Sequence, residues 1–244
     1  MTEKAKLRQL NEQLKNKSIV EGLRLLTDRF PGRVIFTTSF GIEDQVITHL
    51  IFSNDIPVKV ITLDTGRLFR ETYEVFEATI ARYGKNINVY FPDYREVESM
   101  VTRKGPFSFY QSIENREECC SIRKIEPLNR ALEGMECWVT GIRAGQSDKR
   151  REMQVLEYDE IKDLIKYNPL FDWSQEDVEK YIMENEVPYN KLHDRGYPSI
   201  GCEPCTRPVL KGQDIRSGRW WWENDGLKEC GLHLRKVSER NKNQ

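Results

Sequence analysis

The sequence has no excess of charge of either sign, no long apolar run and no internal repeat. It contains 38 Lys and Arg residues against 39 Asp and Glu residues, so its formal net charge is -1 at pH 7. This balance gives a nucleic acid no general attraction to the protein, and any anion must be bound by a local cluster of cations. No apolar run is long enough to span a bilayer, and the charged N-terminus lacks the apolar segment of a secretory signal. We therefore expect a cytoplasmic protein with neither a membrane nor a nucleic acid as its partner.

Short apolar runs alternate with amphipathic segments along most of the chain, and hydrophobic residues make up 38% of it, enough for a core. The runs predict strands over 33–38, 58–64, 86–91 and 136–143. The other segments predict helices over 18–30, 43–52, 67–83, 117–132 and 174–186. Pro127 should kink or split the fourth of these helices. The pattern predicts an α/β fold, a mainly parallel sheet flanked by helices, over residues 1–210, followed by a flexible C-terminal tail over residues 211–244.

Four of the six cysteines form two close pairs. A disulfide between the adjacent Cys119 and Cys120 would distort the backbone, and a reducing compartment favours metal ligands or reactive thiols over disulfides. Cys202 and Cys205 form a CxxC in a loop rich in Pro and Gly, a spacing that lets two thiolates reach one metal. Together the four thiols suit zinc or an iron–sulfur cluster. Adjacent helical residues point about 100° apart, which mildly favours a four-iron cluster, and two unrelated cysteine pairs are the alternative.

The two remaining cysteines differ in their surroundings. Cys230 lies in LKECGLH near the C-terminus, close in sequence to Lys228, His233 and Arg235. Nearby positive charge favours a reactive thiolate, although an incidental surface thiol is equally consistent with the residues alone. Cys137 lies in a predicted strand and is expected to be a core residue.

Polar loops follow three of the predicted strands. TTSFGIEDQ (37–45) joins a strand to a helix, where backbone N–H groups and the helix N-terminus form a natural anion cradle; the alternative is an ordinary tight turn. LDTGRLFRET (63–72) and GIRAGQS (141–147) follow two further strands. Loops at the carboxyl ends of parallel strands meet at one sheet edge, so the three together predict a nucleotide crevice.

The segment 206–224 combines three tryptophans with basic residues, among them Arg207, Lys211, Arg216 and Arg219. Basic groups interleaved with aromatic rings are typical of nucleic-acid binding. The other interpretation is a segment that docks its tryptophans on the domain while some arginines face an anionic substrate. We favour docking because the sequence shows no wider basic surface.

Taken in order, seven motifs resemble those of the assimilatory adenylyl-sulfate reductases, relatives of the phosphoadenylyl-sulfate reductases. They are SFGIED (39–44), LDTGRLFRET (63–72), CCSIRKIEPL (119–128), TGIRAGQS (140–147), GCEPC (201–205), GRWWWE (218–223) and KECGLH (228–233). The resemblance covers about residues 35–235. The cysteine pairs combined with the ECGLH tail are its most specific part.

The resemblance implies a fold, a cofactor and a reaction. The fold would be adenine nucleotide α-hydrolase-like, with a [4Fe-4S] cluster on Cys119, Cys120, Cys202 and Cys205. Cys230 would attack the sulfate sulfur of adenylyl sulfate, release AMP and become an S-sulfocysteine. Thioredoxin or a glutaredoxin-like dithiol protein would then release sulfite, because no fused thioredoxin-like domain is present.

The resemblance also implies which residues contact the substrate. A modified phosphate loop would comprise Ser39, Phe40, Gly41 and Glu43. The nucleotide would be held by Leu63, Asp64 and Gly66, with Arg67 as a further partner. Lys124 would pair with the sulfate or tune the cluster. The remaining candidates for the phosphosulfate are Arg143, Arg216 and Arg219.

Several alternatives stay open. An ATP pyrophosphatase of the same broad fold usually carries an SGGxDS-type loop, whereas here bulky Phe40 is expected to crowd the space for pyrophosphate. A zinc or nucleic-acid binding module would explain the cysteines but not the three loops. A phosphoadenylyl-sulfate reductase or an enzyme with both specificities is the nearest alternative, although the acidic pair Glu43 and Asp44 should disfavour an extra phosphate. The oligomeric state, including a homo-oligomer, is not determined by the sequence.

Overall fold

The computed structural model describes residues 3–210 and 212–223. The helices are α1 (Glu3–Leu14), α2 (Ile19–Arg29), α3 (Ile42–Ser53), α4 (Arg70–Tyr83), α5 (Tyr94–Lys104), α6 (Ile113–Cys120), α7 (Glu126–Leu132), α8 (Asp148–Arg151) and α9 (Gln175–Glu184). The strands are β1 (Val34–Thr38), β2 (Lys59–Leu63), β3 (Asn88–Tyr90), β4 (Cys137–Val139), β5 (Leu156–Asp159) and β6 (Leu164–Tyr167).

The strands form one sheet in the order β3–β2–β1–β4–β6–β5. Neighbouring strands run parallel except β5, which pairs antiparallel with β6 at one edge. In the centre, Thr37 of β1 lies opposite Ile61 of β2, and Phe36 lies opposite Val139 of β4. The chain moves outward from β1 to β3 and then returns to the other side of β1 with β4, so the strand order reverses between β1 and β4. Open α/β sheets bind ligands beyond the strand ends at such a reversal.

Both faces of the sheet are covered. Phe36 and Val139 point into the larger hydrophobic cluster, which includes buried residues of α2, α3 and α9. Ile35 and Trp138, one position along each strand, belong to a second cluster that α7 covers. Side chains that alternate between two buried faces explain why these strands read as nearly continuous apolar runs. The predicted α/β architecture is confirmed.

Most predicted helices and strands are confirmed, with shifts at their ends. Ser18 and Ser174 cap α2 and α9, each through a capping box. α4 begins at Arg70 rather than at residue 67, because Leu68 first forms an isolated bridge with Cys202. The chain is thus tied to the CxxC loop before the helix starts.

The predicted helix over 117–132 is divided, as Pro127 suggests. α6 ends at Cys120, a π-helical turn covers Ser121–Ile125, and α7 begins at Glu126 with Pro127 in its first turn. Proline is tolerated there because the first N–H groups of a helix have no partner within it. π turns inside helices often mark functional sites. This one separates the cysteine pair from the part of the helix that packs on the sheet.

Described residues of the predicted tail pack against the domain. Trp220 is buried in one hydrophobic cluster with the four paired cysteines, and Arg219 forms an isolated bridge with Thr206. The docking interpretation is therefore confirmed for Trp220. The division of the chain at residue 210 stays a prediction, and Cys230 lies outside the described residues.

Among the described residues, no helix combines the length and the apolar character that a membrane crossing requires.

Candidate functional site

A crevice of about 380 Å³ opens at the carboxyl ends of β1, β2 and β4. Thr38, Thr62 and Thr140, at or beside the ends of these strands, all line it. It therefore lies at the reversal of the strand order, where the fold favours a ligand. Of the predicted substrate residues, those that line it are Ser39, Gly41, Glu43, Leu63, Lys124, Arg143, Arg216 and Arg219.

The first loop of the crevice is held by Asp44. The backbone N–H and the hydroxyl of Ser39 donate to Asp44 Oδ2 at 2.6 Å and 2.7 Å. Gly41, at the N-cap of α3, has no side chain to satisfy the first N–H groups of the helix. The loop thus presents a helix N-terminus at the crevice, as predicted for an anion cradle.

Phe40 does not line the crevice. Its backbone φ of 59° is left-handed, and its buried ring stacks on Phe76 at a centroid distance of 4.9 Å. The predicted crowding of a pyrophosphate site by this side chain is therefore wrong, because the left-handed turn directs the ring into the core.

Gly141 follows β4 and touches the same loop. A Cβ atom at this position would overlap with Asp44 Oδ1, so glycine is needed for the close approach. Burial raises the pKa of the Asp44 carboxyl to about 6, although the hydrogen bonds from Ser39 lower it. Asp44 therefore bonds to the loop after β1 and lies close to the loop after β4.

In the second loop, Leu63 lines the crevice whereas Asp64 and Gly66 do not. Asp64 Oδ1 accepts hydrogen bonds from the Gly66 N–H at 2.8 Å and from the Tyr73 hydroxyl at 3.0 Å. The structure thus uses Asp64 to shape the loop, and its contact with a nucleotide stays a prediction.

Arg67 is directed away from the crevice. Its Nη2 donates to the Pro106 carbonyl at 2.6 Å, and its guanidinium lies over the Phe109 ring, 5.0 Å from the centroid. It lines the cavity that holds the cysteines instead. The structure therefore does not place Arg67 with the other predicted nucleotide residues.

Arg143 enters the crevice already paired. It is 3% exposed, its Nη2 lies 2.8 Å from Glu43 Oε1, and its Nη1 donates to the Trp173 carbonyl at 3.3 Å. Gln146 Nε2 donates to the same Glu43 oxygen at 2.9 Å. The positive charge of Arg143 is thus compensated within the protein.

The four paired cysteines come together although they are far apart in sequence. Cys119, Cys120, Cys202 and Cys205 are all buried, belong to one hydrophobic cluster and line one small cavity. All described cysteines are free thiols, and Cys137 is a core residue of β4, as predicted. The thiols therefore form one candidate centre.

The arrangement of the four thiols bears on what they could hold. Within residues 3–210 and 212–223, no three Cys, His, Asp or Glu side chains are grouped to hold a single metal ion. One tetrahedral zinc ion, with Zn–S bonds of about 2.3 Å, requires sulfurs within about 4 Å of one another. Four buried thiols that line one common cavity are the donor set of an iron–sulfur cluster, so the residues present fit such a group.

Positive groups surround this cavity. Lys124 lines both the cavity and the crevice, and Arg123 Nη1 donates to the Thr65 carbonyl at 2.6 Å. The pKa of the Cys202 thiol is lowered. Burial is the largest single contribution and raises this pKa, but Lys124, a hydrogen bond with Thr65 and nearby guanidinium groups lower it by more in total. Burial and the charge of Cys202 raise the pKa of Cys205 to about 12.

Arg219 is a buried cation with a different environment from that of Arg143. It is 6% exposed, and its Nη1 reaches the Ser199 hydroxyl at 3.4 Å and the Ile200 carbonyl at 3.3 Å. In the described part of the chain no carboxylate pairs with it, and its Nε has no hydrogen-bond partner. A buried cation without a carboxylate partner is a strong candidate for binding an anionic ligand, and the charge of Arg219 also lowers the pKa of the Cys202 thiol.

The crevice also contains residues that the sequence does not single out, among them Gln146, Arg150, His193 and Ser199. Gln146 lies inside GIRAGQS, and Ser199 stands three residues before the CxxC, so adjacent motifs were a usable signal. His193 lacks such a signal. Burial lowers the pKa of its ring, and its shielded Nε2 has no partner among the described residues.

Comparison with known proteins places these features in one family. Residues 33–208 match the family described as the phosphoadenosine phosphosulfate reductase domain. A protein of Agrobacterium fabrum named adenosine 5'-phosphosulfate reductase is 49% identical over 203 residues, 83% of this chain and 78% of that protein. A protein of the same name from Allochromatium vinosum is 49% identical over 207 residues, 85% of this chain and 81% of that protein.

Solved structures agree on the fold. A crystal structure of phosphoadenylyl-sulfate reductase from Candida auris, a phosphate complex, matches with a TM-score of 0.73 and 32% identity over 86% of this chain and 98% of that chain. The FMN adenylyltransferase of Candida glabrata matches with a TM-score of 0.54 at 14% identity, over 91% of this chain and 83% of that chain, a likeness of fold alone. The predicted adenine nucleotide α-hydrolase-like fold is confirmed.

Proposed function

The chain belongs to the phosphoadenosine phosphosulfate reductase family, and from this premise we propose that it is an adenylyl-sulfate reductase. It reduces adenylyl sulfate to sulfite and AMP in assimilatory sulfate reduction and cysteine biosynthesis, in the cytoplasm. The observation that carries the proposal is the position of Lys124, which lines both the nucleotide crevice and the cavity of the four cysteines. A substrate in the crevice would thus have its anionic end beside the metal centre.

The crevice offers different groups to the two parts of the substrate. The strand-end loops and the N-terminus of α3 suit the adenylate, because backbone N–H groups and a helix dipole stabilise a phosphate. Lys124, Arg216 and Arg219 suit the sulfate end, since all three line the same crevice. Arg219 is the strongest candidate because it is buried without a carboxylate partner in the described part of the chain.

Cys230 is the nucleophile of the proposal, carried to the domain 1–210 by residues 211–244. Its thiolate attacks the sulfate sulfur, the bond from that sulfur to the phosphate oxygen breaks, and AMP leaves with the electron pair. Arg219 and Lys124 stabilise the charge that develops on the oxygens during this transfer. The product is an S-sulfocysteine on the enzyme.

A dithiol protein, thioredoxin or one like glutaredoxin, completes the reaction. Its first thiolate attacks the sulfur of Cys230, a mixed disulfide forms, and sulfite leaves with the electron pair of the broken S–S bond. Its second thiol resolves the mixed disulfide and restores the Cys230 thiolate. The two electrons thus come from the dithiol, which becomes a disulfide.

A [4Fe-4S] cluster would be held by Cys119, Cys120, Cys202 and Cys205, whose buried common cavity supports this choice. When bound, it supplies electrostatic stabilisation near the sulfate end of the substrate. The surrounding Lys124 and Arg123 offset the negative charge of four thiolates. Thr65 lies within hydrogen-bond distance of Cys202 Sγ, at 3.3 Å, and orients that ligand.

The proposed substrate lacks a 3′-phosphate. Several relatives that are 46–50% identical carry the name adenosine 5'-phosphosulfate reductase, whereas the phosphoadenylyl-sulfate reductase from Candida auris is 32% identical. The acidic pair Glu43 and Asp44 supports a substrate without a 3′-phosphate less than expected. Arg143 compensates Glu43, and the pKa of Asp44 is raised to about 6, so the pair repels a phosphate less than two free carboxylates would.

The test is the intact mass of anaerobically purified protein mixed with adenylyl sulfate without any dithiol protein. We expect the gain of one sulfonate, its absence in Cys230→Ser and its release by thioredoxin. Cys137→Ala, which alters a cysteine of the core, is the matched control and should form the adduct at the wild-type rate.

Three other results would each change the proposal. An adduct with the 3′-phosphorylated substrate alone would reassign the substrate. An adduct that persists in Cys230→Ser would reassign the nucleophile. Protein that contains zinc without iron or sulfide, and forms no adduct, would overturn the reductase in favour of a zinc module.

A further inference from the structure

A buried ion pair joins the helix of the cysteine pair to the end of the tryptophan-rich segment. Arg116 lies on α6, three residues before Cys119, and Glu223 is the last described residue. Arg116 Nε donates to Glu223 Oε1 at 2.8 Å and Nη2 donates to Oε2 at 3.1 Å. The Arg116 guanidinium also lies over the Trp220 ring, 5.0 Å from the centroid. Arg116 thus holds the segment at two nearby points, Trp220 and Glu223.

The location of this pair is not explained by stability alone. The Arg116 and Glu223 side chains are 4% and 6% exposed, so both charges have lost their hydration. A buried pair gains little net stability, because the cost of desolvation offsets most of the attraction. Two parallel hydrogen bonds add directional specificity. A bidentate pair allows one relative placement of its two side chains, whereas apolar contacts tolerate several.

The placement of Glu223 matters because the proposed nucleophile lies a short distance further along the chain. Cys230 is seven residues beyond Glu223. Seven extended residues span at most about 25 Å, so the position of Glu223 limits how far from it the Cys230 thiol can lie. A shorter, oriented tether raises the effective concentration of a group at its target.

We propose that Arg116 and Glu223 are positioning residues for Cys230: their ion pair sets the point and the direction from which the nucleophile approaches the substrate. The proposal rests on the proposed function, since it assumes that Cys230 attacks adenylyl sulfate. It assigns a role in the chemical step to a pair that touches neither the substrate crevice nor the reacting atoms. The same pair connects that step to α6, the helix on which two of the cluster cysteines lie.

The first experiment compares Glu223→Gln with the wild type in a single turnover. We expect formation of the S-sulfonate adduct to slow about tenfold, with the Kd for AMP and the iron content unchanged within twofold. The matched control is Glu118→Gln, on the same helix, which removes a carboxylate that pairs with Lys104 at 2.7 Å at the surface. This control should leave the adduct rate unchanged.

A second experiment separates positioning from a structural role. Four Gly and Ser residues are inserted directly after residue 224, in the wild type and in Glu223→Gln. If the pair sets the origin of the tether, the insertion slows the adduct in the wild type and adds little in Glu223→Gln, because the origin there is already lost. A purely structural pair would give the same insertion effect in both proteins and would overturn the proposal.

Charge exchange tests the pair from its other side, and the rates are compared at wild-type iron content because Arg116 lines the cavity of the four cysteines. The double variant Arg116→Glu/Glu223→Arg should recover several-fold of the rate lost in Glu223→Gln. An iron-containing double variant that recovers nothing, or a wild-type rate in Glu223→Gln, would overturn the positioning role and leave the proposed function intact. A wild-type protein that forms no adduct with either nucleotide would overturn the proposed function, and the positioning role with it.

Discussion

Arg143 and Arg219 line the same crevice, and both are almost completely buried, yet their charges are treated differently. Arg143 lies 2.8 Å from Glu43 and also donates to the Trp173 carbonyl. Arg219 reaches only neutral acceptors, the hydroxyl of Ser199 and the carbonyl of Ile200, among the described residues. The charge of Arg143 is thus paired with a carboxylate in the absence of a ligand, whereas the charge of Arg219 is not, among the described residues.

The difference shows why residue type alone is a weak guide to a binding site. The sequence gives both arginines the same predicted role, binding the phosphosulfate. Desolvation of Arg143 is offset by Glu43, so its guanidinium chiefly orders the loop after β4. Desolvation of Arg219 is offset by no carboxylate of the described chain, so an anionic substrate would offset it, together with the nearby Cys202 thiolate.

The largest effect should come from breaking the compensated pair. Glu43→Gln leaves the Arg143 charge buried and unpaired, so we expect the free energy of unfolding to fall by about 3 kcal/mol. Urea denaturation at neutral pH measures this. Glu71→Gln, which breaks the more exposed Arg195–Glu71 pair, should cost about 0.5 kcal/mol or less. A loss of equal size in both variants would mean that Glu43 does not compensate Arg143.

The next effect concerns the uncompensated arginine. Arg219→Gln should lower kcat/KM for adenylyl sulfate about 100-fold, about 2.7 kcal/mol, because a buried charge–charge contact with the substrate is lost. Steady-state kinetics with thioredoxin tests this. Arg207→Gln, which removes an exposed arginine of the same segment, should change kcat/KM less than twofold. If Arg143→Gln reduced kcat/KM as much as Arg219→Gln while the protein stayed folded, the two arginines would be equivalent after all.

A smaller effect should appear with pH at the loop that Glu43 shares with Asp44. The pKa of Asp44 is raised from 3.8 to about 6 by burial, so the folded state binds its proton more tightly than the unfolded state does. The resulting stability is fully present below about pH 4 and is lost as the pH rises through about 6. Relative to Asp44→Asn, the wild type should lose about 2 kcal/mol of unfolding free energy between pH 4 and pH 7.5. Parallel pH profiles for the two proteins would show that Asp44 titrates normally.

The smallest effect is expected at Arg67. Its guanidinium donates to the Pro106 carbonyl and stacks on Phe109, outside the crevice. Arg67→Gln should therefore leave the Kd for AMP unchanged within about twofold, as measured by calorimetry. A tenfold weaker Kd would restore the sequence prediction that Arg67 holds the nucleotide.

Much of the fold was predictable because its signals are local. Capping serines, apolar runs and strand-end loops predicted α2, α9, β1, β2 and the position of the crevice. The sequence did not predict β5 and β6, since β6 carries Lys166 inside the sheet. That lysine is tolerated because Glu157 of β5 lies 3.6 Å from its ammonium group, a pairing across strands that no local pattern reveals.

Some features of the candidate site were likewise predictable from local sequence signals, and others were not. The four cysteines were recognisable because thiols at metal-ligand spacing are rare and specific. The directions of Phe40 and Arg67 were not, because each depends on a backbone angle or a distant partner. The Arg116–Glu223 contact joins residues 107 positions apart, and no local sequence pattern around either residue predicts it.

The π turn at Ser121–Ile125 gives the chain a constraint on length. α7 is locked to the sheet by Leu128, Ala131 and Leu132, while Cys119 and Cys120 lie just before the turn. A π turn holds one residue more than an α-helical turn, and each residue rotates a helix by about 100°. Deleting one residue from the turn would therefore convert it to a regular α-helical turn, whereas inserting a further residue would rotate both thiols out of register with Cys202 and Cys205. The interval between the cysteine pair and Pro127 thus has an upper limit on its length.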